Sequence, residues 1–250
     1  MKNPGIYIIT TEDPLWSDLL VESVIKSFPG QVKGVGLSGG LLTKRRLVMS
    51  PFIYGFLRYA VLGSKVVWSM LFGGKVARMA KRHGVPVDEL PSVKDGKLES
   101  ILAEREVELM VSINCSQKLR EREFAKPRFG TINIHNSSLP EYRGLMPILH
   151  AIREGRGENG VTIHQINKDL DDGGILAQEK LEVAVGEDLL GVWRRCVDLG
   201  CSMLPEVIKD VFEGKATASP NDSGQASYFS FPTWAQIRAY RRALRRGASS

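Results

Sequence analysis

Asn133 and His135 stand two residues apart at the end of an apolar run, Phe129 to Ile134. Residues at i and i+2 of a strand project to the same side. An amide and an imidazole would then leave one strand end together. The amide can stabilise an oxygen that gains charge when a carbonyl is attacked. The imidazole can take or relay a proton near neutral pH. A second stretch, Asp169-Leu170-Asp171-Asp172-Gly173-Gly174, sets adjacent carboxylates in a glycine-bounded turn. Such carboxylates can orient an imidazolium or hold a water. Each pattern is also ordinary structure on its own. Strand-end Asn and His side chains are often just hydrogen-bonded, and Asp and Gly are common in hairpin turns.

The elements that would position these groups alternate in type. Ile6 to Ile9 reads as a buried parallel strand. Trp16, Leu19, Leu20, Ser23 and Val24 recur at helical spacing, and Pro29-Gly30 stops that helix. Further strands are expected at 32–37, 107–113, 129–134, 161–166 and 175–183, with a short strand entry at 84–87. Helices are expected at 98–105, 118–124, 147–154 and 189–212. Residues 50–82 read as helical, with breaks near Gly63 and Gly73-Gly74. The alternation predicts an α/β fold with a mostly parallel sheet and helices on both faces. Ligands of such sheets bind beyond the carboxyl ends of strands, where Asn133 and His135 fall. Residues 1–212 are expected to form the main domain. Residues 213–250 are expected to form a short C-terminal extension with a basic helix from Thr233 to Arg246.

Composition narrows the classes. Apolar residues make up 43% and charged residues 25%, which fits a globular chain and not a disordered one. The net charge of +6 suits an anionic small molecule or weak nucleic-acid contact. Lys44-Arg45-Arg46 and the tail arginines Arg238, Arg241, Arg242, Arg245 and Arg246 carry much of the excess. Three cysteines, Cys115, Cys196 and Cys201, give no disulfide framework and point to a reducing compartment, so a cytoplasmic location is expected. No CxxC or Cys/His ligand spacing is present, so no metal is expected. Phe52 to Phe72 is rich in apolar and aromatic residues, but Gly55, Arg58, Gly63 and Lys65 interrupt it. No uncharged run approaches the ~20 residues that span a bilayer, so no transmembrane segment is expected. The stretch reads as helices buried in the fold or in a homodimer contact, with peripheral membrane contact as the alternative. Trp68 and Trp193 fall at apolar helical positions and are expected in the core.

Taken together, the two polar stretches resemble the folate-dependent formyltransferase family. Its pattern is Asn-x-His-x-Ser-Leu-Leu-Pro, then a basic residue and Gly, then Gly-x-Thr-x-His, then Asp-x-Gly. Asn133, His135, Ser137, Leu139, Pro140, Arg143, Gly144, Pro147, Gly160, Thr162, His164, Asp171 and Gly173 match it. Ser138 replaces the usual Leu. The resemblance is strongest over 107–182. It implies a Rossmann-like formyltransferase fold and an N-formyltransferase that uses 10-formyltetrahydrofolate as donor. It also implies Asn133, His135 and Asp171 as the catalytic trio. The pterin would be held largely by backbone groups of two loops. These map onto Cys115, Ser116, Gln117, Lys118 and Leu119, and onto Gln165, Asn167, Asp169 and Leu170.

The acceptor amine is read from what surrounds the trio. Thr10-Thr11-Glu12-Asp13-Pro14, after the first strand, has no glycine and two acids, so it is a poor phosphate cradle. That lowers the glycinamide ribonucleotide reading. A catalytic domain with a short tail looks most like the nucleotide-sugar N-formyltransferases, whose acceptor is an amino sugar linked to a nucleotide. Tyr228-Phe229-Ser230-Phe231-Pro232 would close over a base or sugar, or clamp the tail. Lys44-Arg45-Arg46 resembles a basic loop of the methionyl-tRNA enzymes, so tRNA stays open as a partner. A formyltetrahydrofolate hydrolase and a non-catalytic nucleic-acid-binding module are the other classes.

Overall fold

The structure, a computed structural model, describes residues 3–40 and 43–247. Met1-Lys2 and the last three residues of the expected extension lie outside the described residues.

The chain opens with β1 (Gly5–Thr10), α1 (Ser17–Ser27) and β2 (Val32–Ser38). Three helices follow: α2 (Lys44–Tyr54), α3 (Phe56–Phe72) and α4 (Lys75–Arg82). Next come β3 (Val87–Leu90), α5 (Lys97–Glu104), β4 (Val107–Ile113), α6 (Glu121–Phe124) and β5 (Thr131–His135). A two-residue β6 (Arg143–Gly144) leads to α7 (Pro147–Arg153), β7 (Glu158–Gln165) and β8 (Ile175–Glu182). The chain closes with α8 (Leu189–Phe212), a two-residue β9 (Tyr228–Phe229) and α9 (Trp234–Gly247).

Seven strands form one sheet in the order β3-β2-β1-β4-β5-β7-β8. The first five of these pair in parallel. β7 runs antiparallel to β5, and β8 antiparallel to β7. The expected mostly parallel α/β sheet is therefore present, with an antiparallel edge. A core lies on each face of it. In β1, Ile6 and Ile8 enter the larger core with α1 and α8, while Tyr7 and Ile9 enter the smaller one with α5. That is the alternation a strand buried on both faces requires. Each such side chain contributes roughly 1.5–3 kcal/mol by leaving water.

The C-terminal stretch packs back onto the sheet and α7. Ile237 and Tyr240 of α9 are buried in the larger core. The Tyr240 hydroxyl accepts from the Leu189 amide, 3.1 Å away, at the start of α8. β9 pairs in parallel with β6, matching Arg143 to Tyr228 and Gly144 to Phe229.

The helical stretch 50–82 departs from expectation. The first break falls at Gly55 (φ 85°), and Gly63 lies inside α3. α3 is not buried in the fold: Trp68 is 58% exposed, against the core position expected of it. The neighbours of α3 explain this. It folds back mainly on α2, where the Tyr59 hydroxyl donates to Leu47 O.

Candidate active site

The register of β5 and β7 assembles the polar groups. Asn133 lies directly opposite His164, and His135 opposite Thr162. Asn133 Nδ2 is 3.1 Å from His164 Nε2. The other ring nitrogen of His164 donates to Gln165 O at 2.8 Å. Thr162 holds the loop after β5. Its hydroxyl donates to Ser137 O and accepts from Leu139 N and Gln178 Nε2. Gly160 is needed beneath that loop, because a Cβ there would run into the Ser138 hydroxyl. The Gly160, Thr162 and His164 positions thus support, in turn, the loop backbone, the loop hydrogen bonds and the Asn133 amide.

Asp171 arrives from the loop after β7. Its carboxylate oxygens lie 3.8 Å from His135 Nδ1 and 3.6 Å from His164 Nε2. The Gly144 amide donates to Asp171 Oδ2 at 2.8 Å. Asp171 has φ 51°, a left-handed conformation that Asp tolerates better than most residues. Asn221 holds it there by donating to Asp171 O and Gly173 O, at 2.9 and 3.0 Å. Burial alone would raise the Asp171 carboxyl. The nearby His135 and His164 rings and the Gly144 amide outweigh it and hold the group well below the ordinary carboxylate range. Asp171 is therefore an anion throughout the neutral range.

His135 is 8% exposed, with both ring nitrogens directed at oxygens. Nε2–H donates to Tyr142 O at 3.0 Å, and Nδ1 faces Asp171. Asp172, beside Asp171, turns away from the histidines. It accepts from Ser223 Oγ and pairs with Arg143 Nη1 at 2.5 Å.

These groups line a cleft of about 220 Å³ at the carboxyl ends of β4 and β5. Asn133, His135, His164 and Asp171 all reach it. Of the residues expected at the donor, Cys115, Gln117, Lys118 and Leu119 line one side, and Asn167, Asp169 and Leu170 another. Ser116 and Gln165 do not line it. Ser116 donates its hydroxyl to Gly39 O, and the Gln165 backbone joins the β7–β8 turn through Gly174 O. Gln117 pins its loop by donating to Gly39 O and Pro91 O. Trp193 packs against the larger core, as expected, edge-on to Trp16, and also lines the cleft. His164 is 2% exposed, and it also borders the cleft beside Asp171.

Two further groups resolve into structure. Asp13 accepts from the amides of Leu15, Trp16 and Ser17, and Glu12 from those of Val76 and Ala77. The acids after β1 thus cap the approaches to α1 and α4. The aromatic run after 227 clamps the tail: Phe229 stacks on His150 at 4.1 Å and on Tyr142 at 5.7 Å. Arg45 and Arg46 lie over the Phe231 ring.

The formyl transferase family model matches residues 77–208, which is more than half of the chain. The chain belongs to the formyl transferase family. A methionyl-tRNA formyltransferase of Kosmotoga olearia is 31% identical over 153 residues, covering 61% of this chain and 49% of that relative. One from Staphylococcus aureus is 32% identical over 155 residues, covering 62% and 50%. The chain thus spans about half the length of the curated relatives it matches. Among solved structures, an N-formyltransferase of Helicobacter canadensis, in complex with folinic acid and dTDP-3-aminofucose, superposes with a TM-score of 0.64. It is 16% identical and covers 96% of this chain and 80% of that one. Glycinamide ribonucleotide transformylase 1 of Symbiobacterium toebii superposes with a TM-score of 0.67 at 18% identity, covering 88% and 93%. At these identities the likeness establishes the fold.

Proposed function

We propose that this protein moves a formyl group from 10-formyltetrahydrofolate to a primary amine, and that the amine belongs to an amino sugar linked to a nucleotide. The observation that carries the first part is the meeting of Asn133, His135 and Asp171 at one cleft, from residues 38 positions apart in the chain. The cleft mixes apolar walls, such as Leu119, Ile166 and Trp193, with loop backbone on two sides. Such a lining fits a flat heterocycle recognised by main-chain groups. The loops at 115–119 and 165–170 are assigned that role.

The chemistry follows from the geometry. The Asn133 amide and the His135 ring form a polar corner, where the oxygen of an attacked formyl group would gather charge. Asp171 is held too firmly as an anion to be a good resting place for a proton. It serves instead to orient His135 and to attract the positive charge that builds on the attacking nitrogen. As the bond between the formyl carbon and the folate nitrogen breaks, the proton lost by the attacking amine passes, through His135 or a water, to that departing nitrogen, leaving the formylated amine and tetrahydrofolate. Holding amine and formyl carbon together supplies several kcal/mol of the barrier reduction.

The sugar acceptor is supported by two observations. Glu12 and Asp13 occupy the backbone amides of Val76, Ala77, Leu15, Trp16 and Ser17, so these amides are not offered to a phosphate after β1. The Helicobacter canadensis enzyme, whose complex includes dTDP-3-aminofucose, matches 96% of this chain. A second reading, formyl transfer to methionyl-tRNA, is favoured by the two curated relatives and by Lys44-Arg45-Arg46 at the start of α2. The test is tetrahydrofolate release from 10-formyltetrahydrofolate with a panel of nucleotide-linked amino sugars and charged methionyl-tRNA. Release that depends on an amino sugar supports the proposal. Release only with the tRNA moves the acceptor, and release without any amine makes the protein a hydrolase. No release, together with tight RNA binding, removes the enzyme reading.

A further inference from the structure

α3 carries an apolar face that stands exposed among the described residues. Phe56, Leu57, Val61, Trp68, Leu71 and Phe72 are all exposed, Leu57 by 81% and Leu71 by 71%. At about 100° per residue these positions fill nearly half of the helix circumference. Arg58 and Lys65 fall at one edge of that arc. Folded monomers seldom leave so continuous an apolar surface in water.

The surroundings of α3 are strongly basic. Between Glu22 and Asp88 the sequence holds eleven Lys and Arg and no Asp or Glu. After Asp222 there is again no acid, while α9 brings five arginines. The two basic regions touch. Phe52 of α2 packs edge-on against Trp234 at 5.0 Å, and Arg45 donates to Phe231 O and Pro232 O. A groove of about 390 Å³ runs between them, lined by Leu57, Arg58, Leu190, Arg241 and Leu244. Asp188 also lines this groove, and it pairs with Arg58.

The charge pattern selects among occupants. A two-fold dimer through this face would press like charges together. RNA would use the cations but gain little from Leu57, Val61 and Leu71. An anionic bilayer uses both features. Apolar side chains settle at the headgroup–acyl boundary, and Lys and Arg lie among the phosphates. No described helix is long and apolar enough to cross a membrane, so the contact would lie on the surface. α3 also falls outside the family match of 77–208, and none of its residues lines the cleft.

We propose that α3, flanked by the basic helices α2 and α9, docks this protein on the surface of an anionic phospholipid bilayer. The test is co-sedimentation of the full chain with vesicles of phosphatidylcholine alone or mixed with phosphatidylglycerol. The protein should sediment with the mixed vesicles only, and added salt should release it. Leu57→Ser/Trp68→Ser/Leu71→Ser, and separately Lys65→Glu/Arg241→Glu, should each lower the bound fraction at least about tenfold. Circular dichroism checks that both variants fold. If the triple variant does not fold, emission decides: mixed vesicles should shift the wild-type spectrum to the blue, and Trp68→Ser should lose that shift.

Three outcomes overturn the proposal. One is no preference for anionic vesicles. Another is undiminished binding by the folded triple variant. The third is a lipid-free dimer that the triple variant converts to monomer, which would assign the face to a second copy.

Discussion

Two pairs of adjacent carboxylates sit in loops that follow strands of the same sheet, and they behave in opposite ways. Glu12 and Asp13, after β1, are held by backbone amides, Glu12 by those of Val76 and Ala77 in α4 and Asp13 by those of Leu15, Trp16 and Ser17 leading into α1. Burial pushes both carboxyls up, and the amides offset only part of that. Asp171 and Asp172, after β7, meet side chains instead. Burial works against Asp171 as well, but the His135 and His164 rings and the Gly144 amide hold it down. The Ser223 hydroxyl, then Asn167 and Arg143, hold Asp172 down. The difference separates acids held by backbone from acids that meet other side chains. Both pairs are acids in turn-like sequence, but only Asp171 faces titratable rings at a cleft.

The sharpest break of the comparison is functional. His135→Ala removes the ring that Asp171 serves and should lower formyl-transfer turnover by about 10²–10⁴-fold, measured under saturating donor and amine. Asp13→Ala should leave the chemistry of the folded protein intact but cost about 2 kcal/mol in urea unfolding, because three amides lose their acceptor. Turnover lost with Asp13→Ala at full stability would reverse the assignments.

Stability against pH separates the pairs again. The folded-state pKa of Asp171 is depressed, so its contribution is complete above about pH 4 and fades as pH falls further. The pKa of Asp13 is raised, so in the window just above about pH 4 the folded chain holds more protons than the unfolded one. Stability then declines as pH rises through that window. Urea midpoints across the acid range should show Asp171→Asn and Asp13→Asn shifting the curve in opposite senses, each by at most about 1.4 kcal/mol per pH unit. A further pH effect concerns His150, whose pKa burial, aided by Arg153, pulls down to about 4. The unfolded chain holds that proton more readily, so stability rises between about pH 4 and 6.5. His150→Phe keeps the stack on Phe229 and should flatten the rise.

Much of this arrangement was legible in the sequence, and the gaps have physical causes. The alternation of strands and helices, the pairing of Asn133 with His135, and the Asp171 turn all follow from local periodicity and residue type. The direction of β7 and β8 does not, since a strand's residue pattern reads alike whichever way it points. Gly63 and Gly55 look equally able to break a helix, but only Gly55 takes a positive φ. Gln165 directly follows His164 in β7, so strand alternation itself sets its side chain apart from the cleft. Asn221, which holds Asp171 from 50 residues away, lies in an irregular tail with no periodic signal. The exposure of Trp68 was hidden because an apolar helical position looks the same facing a core or an unfilled surface.

The most direct test is steady-state formyl transfer by Asp171→Asn, with donor binding measured alongside. Turnover should fall at least about 100-fold while the protein stays folded and still binds 10-formyltetrahydrofolate. Turnover within a few-fold of the unmodified protein would contradict the role given to the Asp171–His135 pair.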